Sequence, residues 1–424
     1  MKTRLFGLAA TLLAAAFSAQ SAAAQDVFVC TQGDVICETV QTADTFHYSA
    51  DGAHLTLAGR TYAVSDIDSI VFTAPSHMKL RGGDVSLLPQ YEDHGALYYD
   101  TDGNAIDDML SYLKEQGWNA LRLRLFVNPD NAPSDDKGEG VCQSLDYVCQ
   151  LGARIKAKGF QFMLDFHYSD TWADPSQQAK PSAWSNASAD ALCDSLYAYT
   201  LASLNALVAA GATPDYIQTG NEISYGMLWD TGKVYTSSTS NWDVFTNMLA
   251  SAAKACREAV PSAKIIVHTE RVAQSDVLYQ YYQNLKDYGV DYDVIGLSYY
   301  PYYHGNLATL HAVLNGLESR FADKKIMIVE TGYYHDWQPS SVTYDQSSTY
   351  PITAAGQQAF AEALVEKLNA HAAVNGLFWW WPEANEYGLD WSTKRVTDAW
   401  YNAGLWDNQT GKAMPALQVL QNFK

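Results

Sequence analysis

From residue 76 to the C-terminus, short apolar runs alternate eight times with longer amphipathic stretches, and few folds accept that rhythm. The runs are 80–85, 120–126, 160–166, 216–219, 265–268, 294–298, 326–330 and 377–380. Several, such as Ile326-Met327-Ile328-Val329, are apolar at every position, which suits parallel strands covered on both faces. Between them fall helical patterns over 105–116, 145–158, 189–210, 244–259, 275–288, 307–321 and 354–374, with a last one near 415–422. The rhythm predicts an α/β fold, a (β/α)8 TIM barrel over residues 76–424, with a doubly wound open sheet as the alternative. No run carries the Lys or Pro that protects a sheet edge, which favours closure.

Residues 26–75 read differently. Short β-branched or alternating runs at 45–48, 55–57, 60–64 and 69–73 are separated in part by Asp51-Gly52 and Ala58-Gly59, a turn chemistry suited to hairpins. A small β module is expected there. Ahead of it, Lys2 and Arg4 precede an apolar run from Leu5 to Phe17 and the small residues Ala22-Ala23-Ala24. Residues 1–25 therefore read as a secretory signal peptide. Val27-Phe28-Val29 before Cys30 is unlike a lipoprotein signal, so a soluble protein exported to the periplasm, the medium or the cell surface is expected. No later segment approaches the roughly 20 apolar residues of a membrane-spanning helix, so no membrane insertion is expected.

A net charge of −20 argues against nucleic acid and anionic lipid as partners. There are 12 Trp and 28 Tyr, more amphipathic rings than a core requires, and sugars are commonly held on aromatic planes. Six cysteines in 424 residues are too few for a disulfide scaffold. If Cys142 and Cys149 shared one helix they would sit about 10.5 Å apart along its axis, so their pairing stays open. No C-x-x-C, H-E-x-x-H or phosphate-binding glycine loop is present.

Polar residues that break an apolar barrel strand at its C-terminal end point into the active-site mouth. Here they are concentrated: Asp84, Arg122, Arg124, Asp165, His167, Asn221, Glu222, His268, Glu270, Tyr299, Tyr300, Glu330 and Trp379-Trp380-Trp381. Any one of them could be a satisfied strand terminus; the set is hard to explain that way. Hydrolysis of a glycosidic bond needs two carboxyls flanking it, one protonated and one ionised. Glu222 and Glu330 fall on strands four and seven, three steps apart around an eight-strand ring, where their ends can face each other. Arg122 or Arg124 is available to hold Glu330 ionised, and an aromatic wall including Tyr300 and Trp380 would keep Glu222 protonated. Trp379, Trp380 and Trp381 alternate in direction if all lie on one strand, so not all three can face a ligand.

Strand-four Asn-Glu with strand-seven Glu resembles the large clan of retaining barrel glycosidases. More specifically, Arg81-Gly82-Gly83-Asp84-Val85-Ser86, Leu121-Arg122-Leu123-Arg124-Leu125-Phe126, Ser298-Tyr299-Tyr300-Pro301-Tyr302-Tyr303 and the long Asp165-Phe166-His167-Tyr168-Ser169-Asp170-Thr171-Trp172-Ala173-Asp174-Pro175 resemble glycoside hydrolase family 53. The resemblance covers residues 78–424. It implies an endo-acting β-1,4-galactanase that cleaves galactan side chains of type I arabinogalactan and pectin with retention. It implies Glu222 as acid/base, Glu330 as nucleophile and Asn221 on the sugar 2-hydroxyl. His167, Asp170, Trp172, His268 and Tyr300 are expected to line the cleft, with Asp84 and Arg124 orienting the catalytic groups.

A monomer needing no cofactor is expected. Some bacterial members of that family bind calcium near the last loops, where this chain has Glu383, Glu386 and Asp390, so a structural calcium ion is allowed but its ligands are unassigned. The sequence Trp381-Pro382-Glu383 departs from the family, which often has Glu before the Pro. A retaining barrel acting on mannan or xylan, a catalytically dead glycan-binding barrel, and a barrel enzyme for phosphorylated metabolites are the competing readings.

Overall fold

The computed structural model describes residues 25–31, 35–40, 46–72, 78–390, 396–397 and 399–424. Residues 1–24 of the expected export signal 1–25 and the expected module boundary at 75/76 lie outside them; Gln25 opens a strand. The chain divides into two compact units, Met1–Met78 and Lys79–Lys424.

In the second unit eight parallel strands close into a barrel, which excludes the open sheet. In chain order they are β1 (Leu80–Asp84), β2 (Ala120–Leu125), β3 (Gln161–Phe166), β4 (Tyr216–Thr219), β5 (Lys264–Thr269), β6 (Val294–Tyr299), β7 (Lys325–Thr331) and β8 (Val374–Trp380). β8 pairs with β1 to complete the ring, aligning Trp380 with Asp84. Nearly every strand residue is buried, as strands packed on both sides require. Gly82 is obligatory in β1, since a Cβ there would lie 1.7 Å from the Ala120 carbonyl oxygen of the neighbouring strand.

The helices begin where the sequence offers a cap. The side chains of Ser144, Ser188, Asn306 and Thr353 accept backbone N–H groups at the starts of Leu145–Ala157, Ala189–Ala209, Leu307–Arg320 and Ala354–Asn369. The last of these ends five residues short of the expected span, because β8 already begins at Val374. Cys142 lies in the loop ahead of its helix while Cys149 lies within it, and both are free thiols. Among the described residues no helix is long and apolar enough to cross a membrane.

The first unit holds two three-stranded antiparallel sheets. One contains the expected hairpin runs His47–Tyr48, His54–Leu57 and Arg60–Ala63. The other adds two strands absent from the sequence reading, Gln25–Thr31 and Val35–Val40, with Ile67–Val71 on the far side of Gln25–Thr31. Val27, Val29, Val40, Leu57 and Tyr62 form their common core.

Candidate active site

β2 carries two buried arginines with different partners. Arg122 reaches Asp84 Oδ2 at 2.9 Å, Asp165 Oδ2 at 2.7 Å and Glu330 Oε1 at 2.9 Å. Arg124 reaches only Asp84 among the carboxylates, at 2.8 Å, and its guanidinium lies within 5.1 Å of the Trp172, Trp380 and Trp381 ring centroids. So of the two candidates it is Arg122 that holds Glu330, while Arg124 underlies an aromatic floor by cation–π contact.

Glu330 sits on β7 where the register with β6 shifts: Ile328 pairs with Leu297, then Glu330 with Ser298. The extra residue, Val329, makes a bulge of the kind that re-aims a side chain beside an active site. Glu330 Oε2 accepts from the Tyr300 hydroxyl at 3.2 Å. Burial raises the Tyr300 phenol well above its ordinary value, and the adjacent Glu330 adds to this, so Tyr300 remains a donor.

Glu222 lies three residues beyond β4 at φ 48°. A non-glycine residue held in the left-handed region costs on the order of 1 kcal/mol, and such positions cluster at functional sites. Its Oε1 accepts from Ser298 Oγ at 2.6 Å, and the same Oγ is 3.5 Å from Glu330 Oε2. The nearest oxygens of the two carboxyls therefore stand at most ~6 Å apart, close enough for both to flank one glycosidic bond.

Electrostatics separates the two. Burial pushes Glu330 up to about 7 while Arg122 and Tyr300 pull it down. Burial also raises Glu222, well above the carboxylate range; Glu330 and Glu270 add to that, and only the Ser298 hydroxyl opposes it. Glu222 is thus the group that keeps its proton.

Both carboxyls open onto a cavity of about 400 Å³ lined also by Trp172, Asn221, Tyr300, Trp380 and Trp381. Residues 80–420 match the model of glycosyl hydrolase family 53.

This chain belongs to glycosyl hydrolase family 53.

It is similar to the endo-beta-1,4-galactanase of Bacillus subtilis, 29% identical over 81% of this chain and 85% of that protein. It is likewise similar to the arabinogalactan endo-beta-1,4-galactanase of Thermothelomyces thermophilus, 32% identical over 81% of this chain and 99% of the relative. Among solved structures, the Ignisphaera aggregans GH53 catalytic domain superposes with a TM-score of 0.72 at 34% identity, covering 82% of this chain and 97% of that one.

Not every residue expected in the cleft of this family 53 barrel reaches it. Asp84, Arg124, His167 and His268 lie beneath the cavity wall, where Asp84 pairs with both arginines, His167 Nε2 lies 3.2 Å from Asp165 and His268 bridges Gln218 and Ser298. Asp84 also accepts from Ser86, and Ala173 N–H donates to His167 Nδ1 at 3.1 Å. Asp170 braces the loop above β3 by accepting from Asn131 Nδ2 and Ser182 N–H. Asn221 does face the cavity; its Oδ1 accepts from Arg122 at 3.0 Å and its Nδ2 donates to Ala173 O at 2.8 Å, leaving one Nδ2 hydrogen over.

The tryptophan triplet departs from simple alternation. β8 ends at Trp380, and Trp381 turns at φ 45°, so Trp380 and Trp381 stack at 5.2 Å and 16° on the same cavity wall. Trp379 instead donates its indole N–H to Ala403 O.

Ser298, Tyr303, His304 and Trp400 also belong to the site and were not among the residues expected there, whereas Glu270, expected at the mouth, does line the cavity. Ser298 could have been found as the first polar side chain after the apolar run that begins β6. Trp400 comes from the segment after β8, where no periodicity marks it.

Glu383, Glu386 and Asp390 do not gather as cation ligands: among the described residues no three His, Cys, Asp or Glu side chains do. Glu383 accepts from Leu87 N–H at 2.8 Å, and burial pushes its carboxyl up to about 8.

Proposed function

We propose that this chain is a secreted, retaining endo-β-1,4-galactanase in which Glu330 is the nucleophile and Glu222 the general acid and then the general base. One observation carries the roles: two carboxyls share a cavity and approach each other through Ser298, and only Glu330 touches a cation.

In the first step the ionised Glu330 attacks the anomeric carbon while Glu222 protonates the departing glycosidic oxygen. In the second, Glu222 takes a proton from water as water displaces Glu330, so the configuration is retained. Arg122 and Tyr300 stabilise the carboxylate that Glu330 becomes again on release. The remaining Nδ2 hydrogen of Asn221 is available to the 2-hydroxyl of the sugar bound to Glu330. Trp172, Trp380 and Trp381 offer the apolar planes on which sugar C–H faces pack.

Galactan as substrate is supported by the names of the relatives, which match this chain over most of their own length. Export is supported by the charged, then apolar, then small-residue order of residues 1–25, and a polymeric substrate suits an exported enzyme. Residues 26–75 are proposed as a separate module and the enzyme as a monomer requiring no cofactor. Incubation with linear β-1,4-galactan, mannan, xylan and cellulose, with products separated by chromatography, tests the substrate: short galacto-oligosaccharides alone are expected, and hydrolysis of mannan or xylan in preference to galactan would contradict it.

A further inference from the structure

A chain of hydrogen bonds runs beneath the cavity and ends on Glu222. Gln218 Nε2 lies 2.6 Å from Asp165 Oδ1. Burial alone would raise Asp165, but Arg122 and His167 more than offset it and the group is ionised. A carboxylate only accepts, so the Gln218 amide must present its nitrogen there. The same Nε2 lies 2.9 Å from His268 Nδ1 and Glu222 N–H 3.4 Å from it; against these two donors stands one acceptor, Asn221 Oδ1 at 3.1 Å, so the shorter contact and the two donors assign Nδ1 the accepting role.

His268 is fully buried, and burial together with the adjacent Arg122 keeps it neutral. With Nδ1 accepting, its one ring proton is on Nε2, 2.8 Å from Ser298 Oγ. Ser298 thus receives from the imidazole and has a single proton to give. Glu222 Oε1 at 2.6 Å takes it in preference to Glu330 Oε2 at 3.5 Å.

We propose that His268 and Ser298 are positioning residues that fix the transferable proton of Glu222 on Oε2. Oε1 is engaged by an incoming O–H, so a proton on the neutral carboxyl belongs on the other oxygen, which no hydrogen bond among the described residues occupies. As the glycosidic C–O bond breaks, its electron pair stays on the leaving oxygen and Oε2 delivers the proton to it. The charge left on Glu222 is met at Oε1 by a donor already in place, which needs no reorganisation.

The ionisable groups facing Glu222 are Glu330 on β7, Glu270 after β5, Tyr300 after β6 and Asp174 above β3, and none supplies a positive charge. Ser298 is the group that favours its ionised form.

The proposal rests on reading Glu222 as the acid, and leaving-group dependence separates the two claims. The full-length enzyme and its Ser298→Ala, Ser298→Thr and Glu222→Gln variants would be compared on phenyl and 2,4-dinitrophenyl β-1,4-galactobiosides, the second of which departs without protonation. Ser298→Ala should lose roughly tenfold or more in kcat/KM on the phenyl substrate and within about threefold on the dinitrophenyl one. Its alkaline limb should move up by about one pH unit, since a donor to the carboxylate is gone. Ser298→Thr should restore both. Equal losses on the two substrates with an unmoved limb would overturn the proposal while a differential loss in Glu222→Gln left the acid assignment standing. Equal losses in Glu222→Gln would overturn both.

Discussion

Arg122 and Glu330 meet at 2.9 Å at the base of the cavity, the arginine side chain 0% exposed and the glutamate 7%. The same guanidinium binds Asp84 and Asp165, so three carboxylates converge on it, and of the three only Asp84 has a second arginine, Arg124. Removing it strands buried charge. Arg122→Met should destabilise the fold by about 3–5 kcal/mol in a denaturant titration and abolish turnover. Unchanged stability would mean that the carboxylates are already neutral.

Tyr300 adds one charge-assisted hydrogen bond to Glu330. Tyr300→Phe removes that bond and keeps the ring. A bond of this kind contributes about 1.5–3 kcal/mol, so kcat should drop on the order of 10- to 100-fold with a folded enzyme. The acid limb of the pH profile should also move up, because a group that lowers Glu330 is lost.

The wild-type profile follows from the same pair. Activity requires Glu330 ionised and Glu222 protonated, so kcat/KM should rise as pH passes about 7 and fall at a higher value. An optimum well on the acid side, near pH 4, would contradict the environments described.

Glu383 makes a prediction about stability instead. Burial raises it from 4.5 to about 8, so between those values the folded chain holds a proton that the unfolded chain has lost. Stability therefore falls as pH rises through that window. Glu383→Gln can still accept from Leu87 N–H and carries no proton to lose. Its Tm should decline less than that of the wild type between pH 5 and 9, as read by thermal scans in matched buffers.

Much of this was legible in the sequence, for physical reasons. Barrel strands are covered on both faces, so several of them, such as β7 over residues 326–329, appear as apolar runs, and a Glu at the end of such a run stands out. Alternation failed at Trp381, because alternation holds only while a strand continues and β8 stops at Trp380. For His167 and His268 the sequence shows polar residues at strand ends but not the partners on neighbouring elements, Ala173 for the first and Gln218 and Ser298 for the second, that hold them beneath the cavity. Trp400 was missed since a long-range contact, its ring 5.2 Å from that of Tyr300, is what brings it to the cavity. The strand Gln25–Thr31 pairs on one side with Val35–Val40 and on the other with Ile67–Val71, some forty residues away, a partner that no local pattern announces.

The identity of the nucleophile is tested most directly by trapping. A 2-deoxy-2-fluoro β-galactobiosyl fluoride, which slows release of the glycosyl-enzyme, would be incubated with the protein, followed by peptide mass spectrometry. The geometry predicts one galactobiosyl adduct, on Glu330. An adduct on Glu222, or an inverted anomer released from unmodified substrate, would contradict it.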